Sequence, residues 1–154
     1  DRHIILRTAW LYGARGRNFL GMILRLALAK PGGVLRVAND QYGSPTWSWR
    51  LALQIRKALE AGARGLYHAA AEGACTRFEL AAEFLRRMDV PVRIEPCAAS
   101  EFPRPARRPS NSILENTRLK AEGLHVMRPW VEDLAEFARI HGDKLRREAG
   151  EERV

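Results

Sequence analysis

Short apolar runs alternate with longer amphipathic segments along most of this chain, and this alternation constrains the fold more than any other feature of the sequence. The short runs end at turn residues, as strands do, whereas the longer segments space their apolar residues three and four apart, as helices do. Short connections join the two kinds of segment. Together these features predict an α/β fold. The predicted strands cover residues 3–7, 34–38, 66–70 and 92–95, and the predicted helices cover residues 19–29, 49–61 and 117–121 and the segments that begin at Thr76 and Pro129.

Capping chemistry marks three of the predicted helix starts. The Thr76 hydroxyl can accept a hydrogen bond from the amide of Glu79 while the Glu79 side chain reaches back, which is a capping box. Pro129 suits the first position of the last helix. Asn18 precedes another predicted helix, where its side-chain carbonyl can cap the backbone and the remaining free amides can face an anion.

The composition fits one domain. At 154 residues and 46% hydrophobic, the chain can bury one sizeable core. We predict a domain over residues 1–145 and a disordered tail over residues 146–154, where few apolar residues remain. The sequence shows no apolar run of roughly 20 residues and no signal peptide, so we expect a cytoplasmic protein without a membrane partner. Because residue 1 is Asp1 and a predicted strand follows directly, we also expect a fragment of a longer protein.

The net charge of +8 raises the question of nucleic-acid binding. Arginine supplies 22 of the 26 basic residues, and acidic residues are interleaved with them along the chain. A nucleic-acid module would more typically cluster its basic residues, so we expect no nucleic-acid partner, although a free-standing basic binding module stays open. Cys75 and Cys97 lack metal-ligand spacing, and we predict two buried free thiols and no metal site.

A carboxylate, a carboxamide and a hydroxyl lie together on the turn-forming loop at residues 39–46, directly after an apolar run. The strand ends of open α/β sheets are where ligands bind. Local turn formation could explain Asp40 and Pro45, but it does not require Gln41 or Thr46. The loop is therefore a candidate ligand-binding segment.

Two further segments have residues suited to a sugar and a phosphate. Trp10 follows an apolar run and an Arg-Thr-Ala turn, so its indole could face a sugar ring, with core packing as the alternative. Arg108 lies in a proline-rich segment and is followed by Asn111. Its guanidinium could hold phosphate oxygens in a bidentate manner, with an ordinary surface charge as the alternative.

Four motifs resemble the substrate-binding half of the dTDP-4-dehydrorhamnose reductases, which belong to the extended short-chain dehydrogenases. These motifs are Arg-Thr-x-Trp-x-Tyr-Gly at residues 7–13, Asn-Phe at 18–19, Asp-Gln-x-Gly-x-Pro-Thr at 40–46 and Pro-Ala-x-Arg-Pro-x-Asn-Ser-x-Leu at 105–114. The resemblance runs from Ile4 to about Phe137 and weakens after Leu114.

This resemblance implies a dTDP-sugar substrate and an NADPH or NADH cofactor that is bound mainly by a half missing from this sequence. The family reduces the 4-keto group of dTDP-4-dehydro-6-deoxy-L-mannose to give dTDP-L-rhamnose. Assembly as a homodimer stays open. The residues implied to bind substrate are Trp10, Asn18, Gln41, Pro45, Thr46, Arg108 and Asn111, and those implied to face the cofactor are Ala9 and Trp10.

Two features of a complete reductase are missing from this sequence. No glycine-rich strand-turn-helix is present to hold a cofactor pyrophosphate, and no Tyr is followed four residues later by a Lys. The N-terminal Rossmann half is therefore largely missing. We assign no catalytic residue and expect the fragment alone to be inactive. A non-catalytic regulatory homologue on the same fold and a reductase of another nucleotide-linked deoxysugar remain alternatives.

Overall fold

The computed structural model describes residues 3–102, 105–106 and 108–151, and within these ranges the chain forms five α-helices, nine short strands and one 3₁₀ turn. The helices are α1 (Phe19–Ala29), α2 (Ser48–Glu60), α3 (Arg77–Arg87), α4 (Thr117–Ala121) and α5 (Trp130–Glu151). The strands are β1 (Ile4–Arg7), β2 (Leu11–Tyr12), β3 (Val34–Ala38), β4 (Tyr42–Gly43), β5 (Thr46–Trp47), β6 (Gly65–His68), β7 (Cys75–Thr76), β8 (Arg93–Cys97) and β9 (Asn111–Ser112). The 3₁₀ turn covers Ala99–Glu101.

The strands pair in four small sheets. β1 runs parallel to β6, β2 to β5 and β3 to β8, each pair forming a two-stranded sheet. The fourth sheet has the order β7-β4-β9, in which β4 is antiparallel to β7 and parallel to β9. The four strands predicted from sequence correspond to β1, β3, β6 and β8, and the predicted α/β fold is confirmed. The five strands of two residues were not predicted, because two residues cannot show an alternating pattern.

The main core lies where α1, α3 and α5 meet β3. Phe137 of α5 is fully buried near its centre. Its ring packs edge-on against Tyr12 and Trp47, with centroid distances of 5.1 and 5.9 Å. The predicted capping box holds the start of α3, because Thr76 Oγ1 accepts from the Glu79 amide at 3.1 Å and Glu79 Oε2 accepts from the Thr76 amide at 2.7 Å.

The last helix is longer than the sequence predicts. We expected disorder from residue 146, but α5 continues to Glu151. Leu145 and Ala149 lie one turn apart and are both buried in the main core, which accounts for the continued helix. Residues 152–154 lie outside the described residues. No helix in the described ranges combines the length and the apolar character that a membrane span needs.

β1 is half-exposed, whereas its continuous apolar run indicates a buried strand. Its residues alternate between partly buried and exposed, and Ile5 is 50% exposed. Ile5 lies opposite Leu66 of β6, which is 48% exposed. The apolar run therefore has only one face covered within the described residues, although its composition is typical of a strand that is covered on both faces.

Only one of the two cysteines is buried as predicted. Cys75 in β7 is 3% exposed, and burial raises the pKa of its thiol to about 12. Cys97 at the end of β8 is half-buried, and partial burial also raises the pKa of its thiol. Both thiols are free.

Candidate ligand-binding cleft

The three-stranded sheet brings three distant segments of the chain together. Tyr42 of β4 lies opposite Thr76 of β7 on one side and opposite Asn111 of β9 on the other. The Tyr42 amide also donates to the Ser110 carbonyl at 2.7 Å. The loop before β4, the first turn of α3 and the loop before β9 therefore meet at one edge of this sheet.

An open cleft of about 1570 Å³ lies at this edge, between α1 and the segment that leads into β9. Five of the seven side chains predicted to bind substrate line it, although they come from four separate motifs. They are Trp10, Asn18, Gln41, Arg108 and Asn111.

Gln41 and Arg108 make no hydrogen bond or ion pair with the described residues, and both line the cleft. Arg108 is exposed and Gln41 is half-buried. Asn111 differs, because its Oδ1 accepts from the amide of Ile113 at 2.8 Å. Asn18 is bonded at both ends of its carboxamide. Its Oδ1 accepts from two amides of α1 at 3.1 and 3.2 Å, and its Nδ2 donates to the Gly13 carbonyl at 2.9 Å.

Trp10 lies against the backbone of Gly43. A Cβ on Gly43 would come within 2.6 Å of the indole atoms Cδ2 and Nε1, so only glycine leaves room for the ring. The Trp10 backbone has a φ of 44°, in the left-handed region. Its carbonyl accepts from the Thr46 amide at 3.3 Å, which attaches the turn to the start of β5.

Arg77 is a cleft residue that no sequence motif indicated. It is the first residue of α3, and its guanidinium carbon lies 3.6 Å above the Trp10 ring centroid and 4.9 Å from that of Phe19. Both distances fall in the range of cation–π contacts. A single arginine among 22 has no local pattern that would have predicted this contact.

Positive charge dominates the cleft. Among the described residues that line it are five arginines and one carboxylate, that of Asp40. Arg36 pairs with Glu101. The Asp40 carboxylate accepts from the Ala99 amide at 2.9 and 3.1 Å and so holds the 3₁₀ turn beside the cleft. Arginines therefore outnumber carboxylates among the described residues that line the cleft, and this lining favours an anionic ligand. The other four arginines are Arg17, Arg25, Arg77 and Arg108.

Pro45, Thr46 and Ala9 are buried and do not line the cleft. The Thr46 hydroxyl donates to the Ser44 carbonyl and accepts from the Ala71 amide, both at 3.1 Å. The Thr46 hydroxyl is therefore bonded to backbone groups of the chain itself. A sequence motif alone cannot distinguish a side chain with this structural role from one that faces a ligand.

Tyr12 lines the cleft floor, but its environment does not suit proton donation. The side chain is 3% exposed, and burial together with the nearby Asp133 carboxylate raises the pKa of its hydroxyl well above the usual value. A catalytic tyrosine needs the opposite shift. The cleft of this chain is therefore suited to binding and orienting a ligand.

The pair Gly32 and Gly33 does not form a dinucleotide site. Gly32 and Gly33 follow α1 rather than opening a helix, so their loop cannot hold a pyrophosphate at a helix N-terminus. Within the described ranges, no three His, Cys, Asp or Glu side chains come together to hold a metal ion.

Comparison with known proteins gives consistent matches. Residues 1–141 match the RmlD substrate binding domain family. The dTDP-4-dehydrorhamnose reductase of Streptomyces griseus is 42% identical over 143 residues, which cover 88% of this chain and 46% of the relative. The probable dTDP-4,6-dihydroxy-2-methyloxan-3-one 4-ketoreductase of Streptomyces antibioticus is 39% identical over 134 residues, covering 86% and 45%.

A solved structure agrees with these matches. The crystal structure of Bacillus anthracis dTDP-4-dehydrorhamnose reductase in complex with NADP superposes with a TM-score of 0.83 at 34% identity, covering 89% of this chain and 48% of that one. The chain thus spans about half the length of the relatives it matches. The resemblance drawn from the four motifs is confirmed, and this chain belongs to the RmlD substrate-binding domain family.

Proposed function

We propose that this chain is the substrate-binding part of an NAD(P)H-dependent dTDP-4-dehydrorhamnose reductase, which reduces the 4-keto group of its substrate to give dTDP-L-rhamnose. One observation carries the proposal. The side chains expected from four separate motifs converge on one cleft with an excess of arginines. A nucleoside diphosphate sugar presents two phosphates and several hydroxyls, and guanidinium and carboxamide groups recognise these two kinds of oxygen.

The chain's own residues would bind and orient the substrate. Arg108 would hold the diphosphate, and the Gln41 carboxamide would bond to sugar hydroxyls. Trp10 would lie where sugar and cofactor meet, and Ala9, the residue before it, is buried. The cofactor supplies the hydride when it is bound. The proton donor and the pyrophosphate loop would come from a part of the protein outside this chain.

A second candidate is reduction of another dTDP-linked deoxysugar. The 39% identity to a probable 4-ketoreductase named for a different sugar favours it. The two candidates share the nucleotide and differ in the sugar. NADPH oxidation by a longer protein that carries this chain, measured with dTDP-4-dehydrorhamnose and with dTDP-4-keto-6-deoxy-D-glucose as competing substrates, would separate them.

Calorimetric titration of the 154-residue chain with dTDP tests the proposal directly. We expect saturable binding at one site. Arg108→Ala should weaken that binding by about 1.5–3 kcal/mol, the scale of a hydrogen bond to a charged group. Arg56→Ala is the matched control, because Arg56 is exposed on α2 outside the cleft. A folded chain that does not bind dTDP at millimolar concentration would refute the proposal.

A further inference from the structure

Trp10 is enclosed on both faces of its indole ring. The ring lies against Gly43, and the guanidinium carbon of Arg77 lies 3.6 Å above the ring centroid. Two groups that each lie directly over a ring at contact distance cannot share one face. Gly43 and Arg77 therefore occupy opposite faces of the indole.

The backbone holds both sides of this arrangement in place. Gly43 pairs with Cys75 across β4 and β7, and Arg77 follows β7 directly as the first residue of α3. The capping box of Thr76 fixes the first turn of that helix. The separation between Gly43 and the Arg77 backbone is therefore set by a hydrogen-bonded ladder and a capped helix.

Trp10 itself carries backbone strain. Its φ of 44° is costly for a bulky side chain, and such strain persists only where neighbouring groups hold the residue. Gly43 and Arg77 are those neighbours. Strained residues of this kind occur at ligand sites, and Trp10 lines the cleft.

The stacked guanidinium changes what a ligand meets at Trp10. The sequence suggested an apolar indole face for a sugar ring, but Arg77 covers that face. A guanidinium that lies flat on a ring keeps its N–H groups in its own plane, where they can donate to oxygen atoms beside the ring. The surface above Trp10 is therefore cationic and suited to an anion.

We infer that Arg77 is a specificity-determining residue that binds the diphosphate of a nucleoside diphosphate sugar while it is stacked on Trp10. This inference rests on the proposed function and adds to it a second guanidinium, facing the same cleft as Arg108. Trp10 acts through Arg77 by holding the guanidinium in a fixed plane. A planar fork held in this way favours two phosphate oxygens over one hydroxyl.

The test uses the 154-residue chain, titrated with dTDP and with thymidine, which carries no phosphate. Arg77→Met should weaken dTDP binding about tenfold or more and leave thymidine binding unchanged. Arg77→Lys keeps the positive charge but loses the planar guanidinium. Its affinity for dTDP should therefore lie between that of the wild type and that of Arg77→Met. Arg56→Met removes one positive charge outside the cleft, and this variant should bind dTDP with the affinity of the wild type. Tryptophan emission of the wild type, but not of Trp10→Phe, should change with Arg77→Met.

Each contrary result has a separate meaning. If the wild type binds dTDP and Arg77→Met binds it equally well, the inference is overturned and the proposed function stands. If Arg77→Met weakens the affinities for dTDP and for thymidine by the same factor, Arg77 is a structural residue and the inference is also overturned. If the wild type does not bind dTDP, the proposed function itself fails.

Discussion

Replacing Asp133 by Asn removes the negative charge of a buried ion pair while leaving the shape of the side chain almost unchanged. Asp133 of α5 accepts from Arg50 of α2, with Nε and Nη2 at 3.1 and 3.0 Å from Oδ1. The Arg50 and Asp133 side chains are 10% and 0% exposed. Glu136 is the other carboxylate within reach, at 3.8 Å from Nη2 and more exposed to solvent.

The structure sets the size of the effect. Two charges about 4 Å apart attract by about 4 kcal/mol at the effective dielectric constant of a protein. Burial raises the pKa of Asp133 even though Arg50 opposes the shift, so desolvation outweighs that attraction in the intact pair. Removing one partner is different, because it leaves the other charge buried and typically costs about 3–5 kcal/mol. Since Glu136 can take over part of the interaction, we expect about 3 kcal/mol for Asp133→Asn.

Urea denaturation followed by circular dichroism measures this loss. About 3 kcal/mol corresponds to a fall of about 6–12 °C in the melting temperature of a chain of this length. The double variant Arg50→Met/Asp133→Asn should be more stable than the sum of the single effects predicts, because no buried charge is left unpaired. Glu60→Gln breaks an exposed pair with Arg56 and should cost less than about 0.5 kcal/mol. A loss below about 1 kcal/mol for Asp133→Asn would refute the reasoning.

Two further predictions concern a buried hydroxyl and an exposed carboxylate. Thr46→Val should lower the free energy of unfolding by about 1–3 kcal/mol, since it leaves the Ala71 amide without its acceptor. Thr46→Ser keeps the hydroxyl and should lower the free energy of unfolding less than Thr46→Val does. Calorimetry should show unchanged dTDP affinity in both variants, and weaker binding would instead place Thr46 in the ligand site. Hydrogen bonds from Arg86, and the nearby charges of Arg87 and Arg86, lower the pKa of Glu83. The stability that Glu83 contributes is therefore present above the usual glutamate pKa of about 4.3 and is lost as the pH falls through the lowered value. Glu83→Gln should remove about 0.5 kcal/mol at pH 7 and less at pH 2, and an equal loss at both pH values would contradict this account.

Local sequence signals predicted the elements whose stability is local. The helix from Phe19 to Ala29 and the helix from Thr117 to Ala121 have the predicted bounds, and the capping box at Thr76 forms as expected. Apolar spacing and helix caps involve residues within one or two helical turns of each other, so the local sequence contains all the residues that interact. The continuation of α5 to Glu151 was missed because it depends on packing against residues far away in sequence.

The sequence by itself determined the alternation of strands and helices, the helix caps and the motifs that identify the family. It also indicated Trp10 and Gln41, whose motifs lie where strands end, and Arg108, whose proline-rich segment resembles that of the family. Only the tertiary structure decided that Thr46 points into the core and that Arg77 covers the Trp10 ring. The physical reason is that Thr46 lies in β5, which pairs with β2, and Arg77 follows β7, which pairs with β4. All four are strands of two residues, whose register is set by long-range hydrogen bonds and carries no periodic signal.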